Sequence, residues 1–187
     1  MSQSVCPFWM GYLLLCPVRR FGQNPDKILS PYVGSGMTVL DIGPGMGFFT
    51  LPMARLVGPA GKVVCVDMQP KMLDALRSRA AEAGLADRID ARVCGATSLG
   101  IGDLAGKVDF VLAFAVAHEI RDTRRLFGEI AAAMKPGARC LLAEPRFHVS
   151  GRAFDRTLAT ARECGLQPSD RPRIRMSHAA LLVRTAD

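Results

Sequence analysis

VLDIGPGMGFFT, residues 39–50, is the stretch on which the reading of the fold turns. Its first half completes a continuous apolar run from Met37 to Ile42 that carries one acid, Asp41, near its end. Gly34-Ser35-Gly36 precedes the run as a turn. That pattern marks a strand buried on both faces in a parallel sheet. Gly43, Gly45 and Gly47 follow with the spacing G-x-G-x-G, and a helical stretch from Phe48 to Val57 comes next. Glycines at a strand-to-helix turn let the backbone pass close to a ligand, and the helix start offers N–H groups with no partner inside the helix.

Outward from this stretch, strands and helices alternate. Lys62–Val66 reads as a second strand, and Pro70–Ala83 as a helix. Met72, Leu73, Leu76 and Ala80 share one face of that helix, and Asp74, Arg77 and Glu82 the other. Ile89–Val93 and Val108–Phe114 read as strands and Thr123–Met134 as a helix. Lys135-Pro136-Gly137 turns the chain into a fifth strand, Arg139–Ala143. Ser150 caps a helix reaching Cys164, with Phe154, Leu158 and Ala161 at helical spacing. Two final strands are expected near Arg171–Met176 and Ala179–Val183, paired antiparallel. Upstream, Asn24-Pro25-Asp26 starts a short helix ending about Tyr32. The alternation implies βαβ units: an α/β fold with a parallel sheet and helices on both faces.

Composition sets the outer bounds. The chain has 187 residues, of which 49% are hydrophobic and 22% charged, which excludes a largely disordered chain and suits one domain. No run of about 20 apolar residues is present, so stable membrane insertion is not expected. The net charge of +7 permits nucleic acid as a partner without favouring it, because the arginines are spread along the chain. The exceptions are Arg171, Arg173 and Arg175, close together, and the pairs Arg19–Arg20 and Arg124–Arg125. Six cysteines occur without a C-x-x-C pair, so no metal site is expected, and their low density fits the cytoplasm. Residues 1–18 carry no charged side chain and read, within residues 1–33, as a helical cover segment. Cys6 and Cys16 flank its greasy part.

Two acids give the glycine turn its chemistry. Asp41 stands two residues before the first glycine, where it would repel a pyrophosphate and welcome a cationic ligand. Asp67 ends the second strand, 20 residues past Gly47, where an acid can accept hydrogen bonds from ribose hydroxyls. A cationic adenosyl ligand suits both, and S-adenosyl-L-methionine is the obvious one.

At this point the chain resembles the class I S-adenosylmethionine-dependent methyltransferases over about Met37–Val183. VLDIGPGMGFFT (39–50) resembles the family's first motif and VVCVDMQPKML (63–73) its second. VDFVLAFAVAHEI (108–120) resembles the fourth-strand motif, and MKPGARCLLAEP (134–145) the turn and strand that follow. The resemblance implies a Rossmann-like, seven-stranded, mostly parallel sheet with the last strand antiparallel, spanning a single core of residues 37–183. It implies that Asp41, Gly43 and Gly45 line the methionine end of the cofactor, with Gly47 also in the cofactor site, that Asp67 holds the ribose, and that Met68 packs on the adenine. Ala96 and Phe114 join the cofactor site. The stretch Cys94–Thr97 lacks the acid that relatives often place near the adenine amino group, leaving backbone groups and the Thr97 hydroxyl. Phe114 stands where many relatives have a polar residue, and Glu119 where many have a second His.

A methyl acceptor that must lose a proton needs a base. His118 is the first candidate, as a base or as a helix-capping side chain; Glu119 beside it is the second, as a catalytic acid or a salt-bridged one. His148 follows the fifth strand. Phe114-Ala115-Val116-Ala117 replaces the N-P-P-Y type of tetrapeptide used for amino groups, and no cysteine sits there for an adduct at pyrimidine C5. The acceptor expected is a small, partly apolar molecule, as in the branch that includes quinone C-methyltransferases. An RNA methyltransferase and a non-catalytic cofactor-binding protein stand as alternatives, and a homodimer is allowed.

Overall fold

The computed structural model describes residues 19–185. The expected cover over residues 1–18, with Cys6 and Cys16, lies outside the described residues. By its internal contacts the chain divides at Cys94–Gly95 into two compact units.

The first unit begins with two short helices, α1 (Arg19–Gly22) and α2 (Pro25–Leu29). The Asn24 side chain caps α2 by accepting from the N–H groups of Asp26 and Lys27, and Pro25 takes the first helical position. There follow β1 (Thr38–Ile42), α3 (Thr50–Leu56), β2 (Lys62–Asp67), α4 (Pro70–Glu82) and β3 (Ile89–Val93). β1 and β2 run parallel with Leu40 opposite Val64, and β2 and β3 parallel with Asp67 opposite Val93. Val39, Leu40, Val63 and Cys65 are fully or almost fully buried, which is why both strands read as unbroken apolar runs. α4 buries Met72, Leu73, Leu76 and Ala80, the face its spacing predicts. Each large side chain so buried contributes about 1.5–3 kcal/mol of transfer free energy.

α3 starts later than the expected Phe48. Gly43, Gly45 and Gly47 all have positive φ, at 67°, 53° and 87°. A right-handed helix cannot begin until that alternation ends, so the chain stays in turns up to Phe49 and Thr50 is the first helical residue.

The second unit contains β4 (Val108–Phe114), α5 (Thr123–Ala133), β5 (Met134–Pro145), α6 (Gly151–Glu163), β6 (Leu166–Asp170) and β7 (Ser177–Arg184). β4 and β5 are parallel, with Phe114 opposite Ala143. β7 is antiparallel to both β5 and β6, so it alone reverses direction there. Asp122 caps α5 through the Arg125 N–H, and Ser150 caps α6 through the Ala153 N–H. The buried faces are Leu126, Phe127, Ile130 and Ala133 on α5, and Phe154, Leu158 and Ala161 on α6.

Two strands of the second unit also differ from the sequence expectation. β5 opens at Met134 rather than Arg139, because Val108 pairs with Met134 and Phe110 with Arg139; Lys135-Pro136-Gly137 is an outward loop within one strand. β6 is Leu166–Asp170 rather than Arg171–Met176. The described residues hold seven strands, in the order β3-β2-β1 in the first unit and β4-β5-β7-β6 in the second, parallel within each unit except for β7, the last, which runs antiparallel, a Rossmann-like α/β arrangement. No helix among the described residues is long and apolar enough to cross a membrane.

Candidate active site

In the first unit two carboxylates, Asp41 and Asp67, flank the glycine bend in sequence and hold the chain around it. Asp41 is 2% exposed, and the Thr50 hydroxyl donates to its Oδ2 at 2.6 Å. Burial pushes the Asp41 carboxyl up to about 7; the Thr50 bond opposes this, and the nearby Asp67 charge adds to it. Asp41 therefore ties the end of β1 to the start of α3 beneath the bend. Thr50 carried no role in the sequence reading, and its one signal is that it opens the helix after a buried acid.

Asp67 meets the bend directly. Its Oδ2 accepts from the Gly45 N–H at 3.3 Å and its Oδ1 from the Gln69 N–H at 2.9 Å. Burial raises its pKa above the ordinary carboxylate value, against the pull of the Gln69, Gly45 and Met68 N–H groups. Met68 is half-buried beside it. Sequence reading brought Asp67 and Gly45 to one ligand; the fold brings them within hydrogen-bond distance.

The glycines divide by task. A Cβ built on Gly45 would meet nothing within 4 Å among the described residues, so these leave open space over this backbone. A Cβ on Gly47 would come within 2.6 Å of the Leu51 side chain and closer still to Leu76. Gly47 is thus required by the packing of the bend against α3 and α4, a task beyond the cofactor role expected for it. The Arg79 guanidinium on α4 donates to the Met46 carbonyl and clamps the same turn. A carboxylate, open space above a left-handed glycine and a rigid bend fit a cationic nucleoside such as S-adenosylmethionine, whose ribose hydroxyls suit Asp67.

In the second unit the chain leaves β4 through Ala115, whose φ of +58° is costly for a residue with a side chain. Its N–H donates to the Ala143 carbonyl at 2.7 Å. This kink starts a short turn, Ala117–Glu119, which holds His118. The Nδ1 of His118 bonds to Oε2 of Glu144, and the Ala117 N–H donates to Oε1 of the same carboxylate at 2.8 Å. Glu144 is 2% exposed and His118 keeps 25% of its side chain exposed. The bond to Glu144 raises the His118 pKa above its ordinary value; burial opposes this, and the charges of Glu144 and Glu119 reinforce it. With Nδ1–H directed at the carboxylate, Nε2 is the basic nitrogen.

His118 pairs with Glu144, a residue the sequence reading left without a role, while Glu119 acts on it only as a neighbouring charge. The His148 ring stacks on His118 with centroids 5.7 Å apart. Phe114 is buried at the end of β4. Ala96 is exposed, and its carbonyl accepts from Arg125 Nη2 at 3.0 Å. Glu129 pins the same loop by accepting from the Leu99 N–H at 2.7 Å. Cys65 and Cys140 are buried in strands with their thiols pushed up, Cys140 to about 12.

Comparison with known proteins shows the family of the chain. The chain is 33% identical over 127 residues to the ubiquinone/menaquinone biosynthesis C-methyltransferase UbiE of Hahella chejuensis, covering 66% of this chain and 50% of that protein. It is 31% identical over 121 residues to the arsenite methyltransferase of Halobacterium salinarum, covering 65% of this chain and 30% of that one. The chain thus spans about half the length, or less, of these curated relatives. The fold matches the crystal structure of a SAM-dependent methyltransferase from Aquifex aeolicus with a TM-score of 0.87 at 20% identity, over 97% of this chain and 100% of that one. Residues 34–167 match the family model described as a methyltransferase domain, and the chain belongs to that family.

Proposed function

We infer that the protein is an S-adenosylmethionine-dependent methyltransferase whose acceptor is a small, partly apolar molecule bearing an acidic O–H or C–H. The observation that carries this reading is the contact between the Asp67 carboxylate and the Gly45 amide across a bend with open space above it. S-adenosylmethionine, when bound, supplies a methyl group on a positively charged sulfur that leaves without a metal or a covalent enzyme intermediate. Asp67 accepts the ribose hydroxyls, Met68 packs on the adenine and the backbone at Gly43 and Gly45 carries the amino-acid end. Asp41 acts from below, by holding the bend through Thr50.

His118 takes the proton that the acceptor gives up, at Nε2. Glu144 fixes the tautomer and steadies the imidazolium that forms, as a buried carboxylate behind a histidine does in other bases. Phe114 supplies an apolar wall.

Three observations favour a small acceptor of the quinone type. The curated relatives include quinone C-methyltransferases. Arg171, in the closest group of arginines, pairs with Asp155, and Arg124 pairs with Glu163, so two of the basic side chains that RNA would need are engaged by acids of the chain itself. Cys65 and Cys140 are buried with raised thiols and do not suit thiolate ligation of arsenite, while Cys6 and Cys16, the pair that would suit it, lie outside the described residues; burial of Cys65 and Cys140 as free thiols fits a cytoplasmic protein. Calorimetry with S-adenosylhomocysteine, followed by methyl transfer to a panel of phenols and quinols, tests the reading. Binding and turnover on the panel would support it, and binding of a nicotinamide dinucleotide in its place would refute it.

A further inference from the structure

The turn that leaves β5 carries a line of rings up to the base. The His148 ring lies 5.7 Å from that of His118, centroid to centroid, with the planes 15° from parallel. The Phe147 ring lies 4.6 Å from that of His148, tilted by 54°. Both steps fall within the range of attractive ring contacts. Exposure rises along the line: Glu144 behind His118 is 2% exposed, His118 25%, and Phe147 69% among the described residues. In the second unit the large apolar side chains exposed among the described residues are Phe147 and Met176. The Arg146 N–H donates to the Met176 carbonyl at 3.0 Å, which brings the segments that carry both to one corner.

That corner is held in place by its backbone. The Pro145 carbonyl accepts from the N–H groups of His148 and Val149, at 3.0 and 2.9 Å, which closes the turn. Val149 is buried, and Ser150 caps α6 directly after it. On the other side the Arg146 Nε donates to the Ser177 carbonyl at 3.1 Å, fixing the turn to the start of β7. Met176 has a φ of +61°, an unfavourable backbone for a residue with a side chain, and its side chain is exposed among the described residues. Rings and thioether therefore stand on a rigid frame that is ordered before a ligand arrives, and the apolar surface they present gains by being covered.

We propose that this corner is the subsite of the methyl acceptor: Phe147 and His148 form a wall that takes a planar aromatic ring in preference to a saturated one, and Met176 contacts the ring's edge. The proposal rests on the reading of the protein as a methyltransferase with His118 as its base. The strength of that base points to the same class of acceptor. A phenolic hydroxyl has a pKa of about 10, a few units from that of an imidazole. A saturated alcohol holds its proton far more tightly. An aromatic ring thus serves the acceptor twice, by stacking on the wall and by making the hydroxyl acidic enough for His118. Aromatic and thioether side chains attract a π-system beyond its apolar area, whereas a saturated ring of the same size gains only from the area.

Binding to the full chain saturated with S-adenosylhomocysteine tests this without turnover. The probes are naphthol and fully hydrogenated naphthol, which share a carbon skeleton and a hydroxyl and differ in their rings. The natural chain should bind naphthol about 10-fold more tightly than its saturated counterpart. Phe147→Leu should weaken naphthol binding about 3- to 10-fold and change that of the saturated probe less than about 2-fold. His148→Leu should act in the same direction, and Phe147→Trp should keep the preference. Equal affinity of the natural chain for the two probes would overturn the proposal. So would an equal loss of both in Phe147→Leu, or a naphthol affinity that Phe147→Leu leaves unchanged. Absence of naphthol binding to a chain that does bind S-adenosylhomocysteine would overturn the proposal and leave the methyltransferase reading standing. Failure to bind S-adenosylhomocysteine would overturn that reading, and the proposal with it.

Discussion

The buried carboxylate of Glu144 divides its two oxygens between the Nδ1 of His118 and the backbone N–H of Ala117. One acid thereby holds both the base candidate and the turn on which it sits. The arrangement depends on the register of β4 and β5, which sets Phe114 opposite Ala143 and so brings the residues after each strand to the same end.

The bond to Glu144 leads the rise in the His118 pKa, so its removal has a definite sign. A base works in its neutral form, and the acid limb of kcat/KM follows that pKa. Glu144→Gln should move the limb to lower pH and lower the plateau about 10- to 1,000-fold, with cofactor affinity changed less than 2-fold. His118→Ala should lower turnover about 100- to 10,000-fold with the same small effect on cofactor affinity. A pH-rate profile of Glu144→Gln with an unmoved limb would return Glu144 to a purely structural place.

Gly45 and Gly47 should separate binding from stability. Gly47→Ala forces a methyl group into Leu51 and Leu76 at a φ of +87°, and should cost about 2–4 kcal/mol of stability. Gly45→Ala meets no neighbour among the described residues and should cost only the roughly 1 kcal/mol of its left-handed backbone, yet weaken cofactor binding by filling the open space. Thermal melts paired with calorimetry read both effects. Equal destabilisation of the two variants would contradict the division of tasks.

Asp41 makes a prediction in pH. Its carboxyl has a pKa of about 7 in the folded chain against 3.8 when unperturbed. Between these values the folded state keeps a proton that the unfolded chain has lost, so the contribution of Asp41 to stability falls as pH rises from about 4 to about 7. Asp41→Asn lacks that slope. The stability of Asp41→Asn relative to the natural chain should therefore climb with pH across this window, by up to about 1.4 kcal/mol per pH unit at mid-range. Denaturant titrations at a series of pH values check it, and a constant difference would show that burial does not hold the proton.

Much of the fold is legible in sequence because β1, β2 and β4 are buried and α4, α5 and α6 are amphipathic; each announces itself by its own period. β6 does not. Leu166–Asp170 reads LQPSD, with Pro168 inside it and most of its residues at least partly exposed, because it is the edge strand and an edge tolerates a proline. The Arg171–Met176 stretch alternates better but is loop. The site divides in the same way. Asp67 and the glycines lie in local motifs and were found there. Glu144 lies 26 residues from His118, inside a run that reads as buried strand, and only the β4–β5 register joins them. Thr50 and the kink at Ala115 likewise have meaning only once the chain has turned.

The central claim is that the bend at Gly45, with Asp67 against it, holds an S-adenosyl nucleoside. Calorimetric titration of S-adenosylhomocysteine into the natural chain and into Asp67→Ala tests this most directly. The account predicts saturable binding of one nucleoside per chain, weakened about 10- to 100-fold in Asp67→Ala, and no heat from a nicotinamide dinucleotide. Absence of nucleoside binding, or an Asp67→Ala variant that binds as tightly as the natural chain, would contradict it.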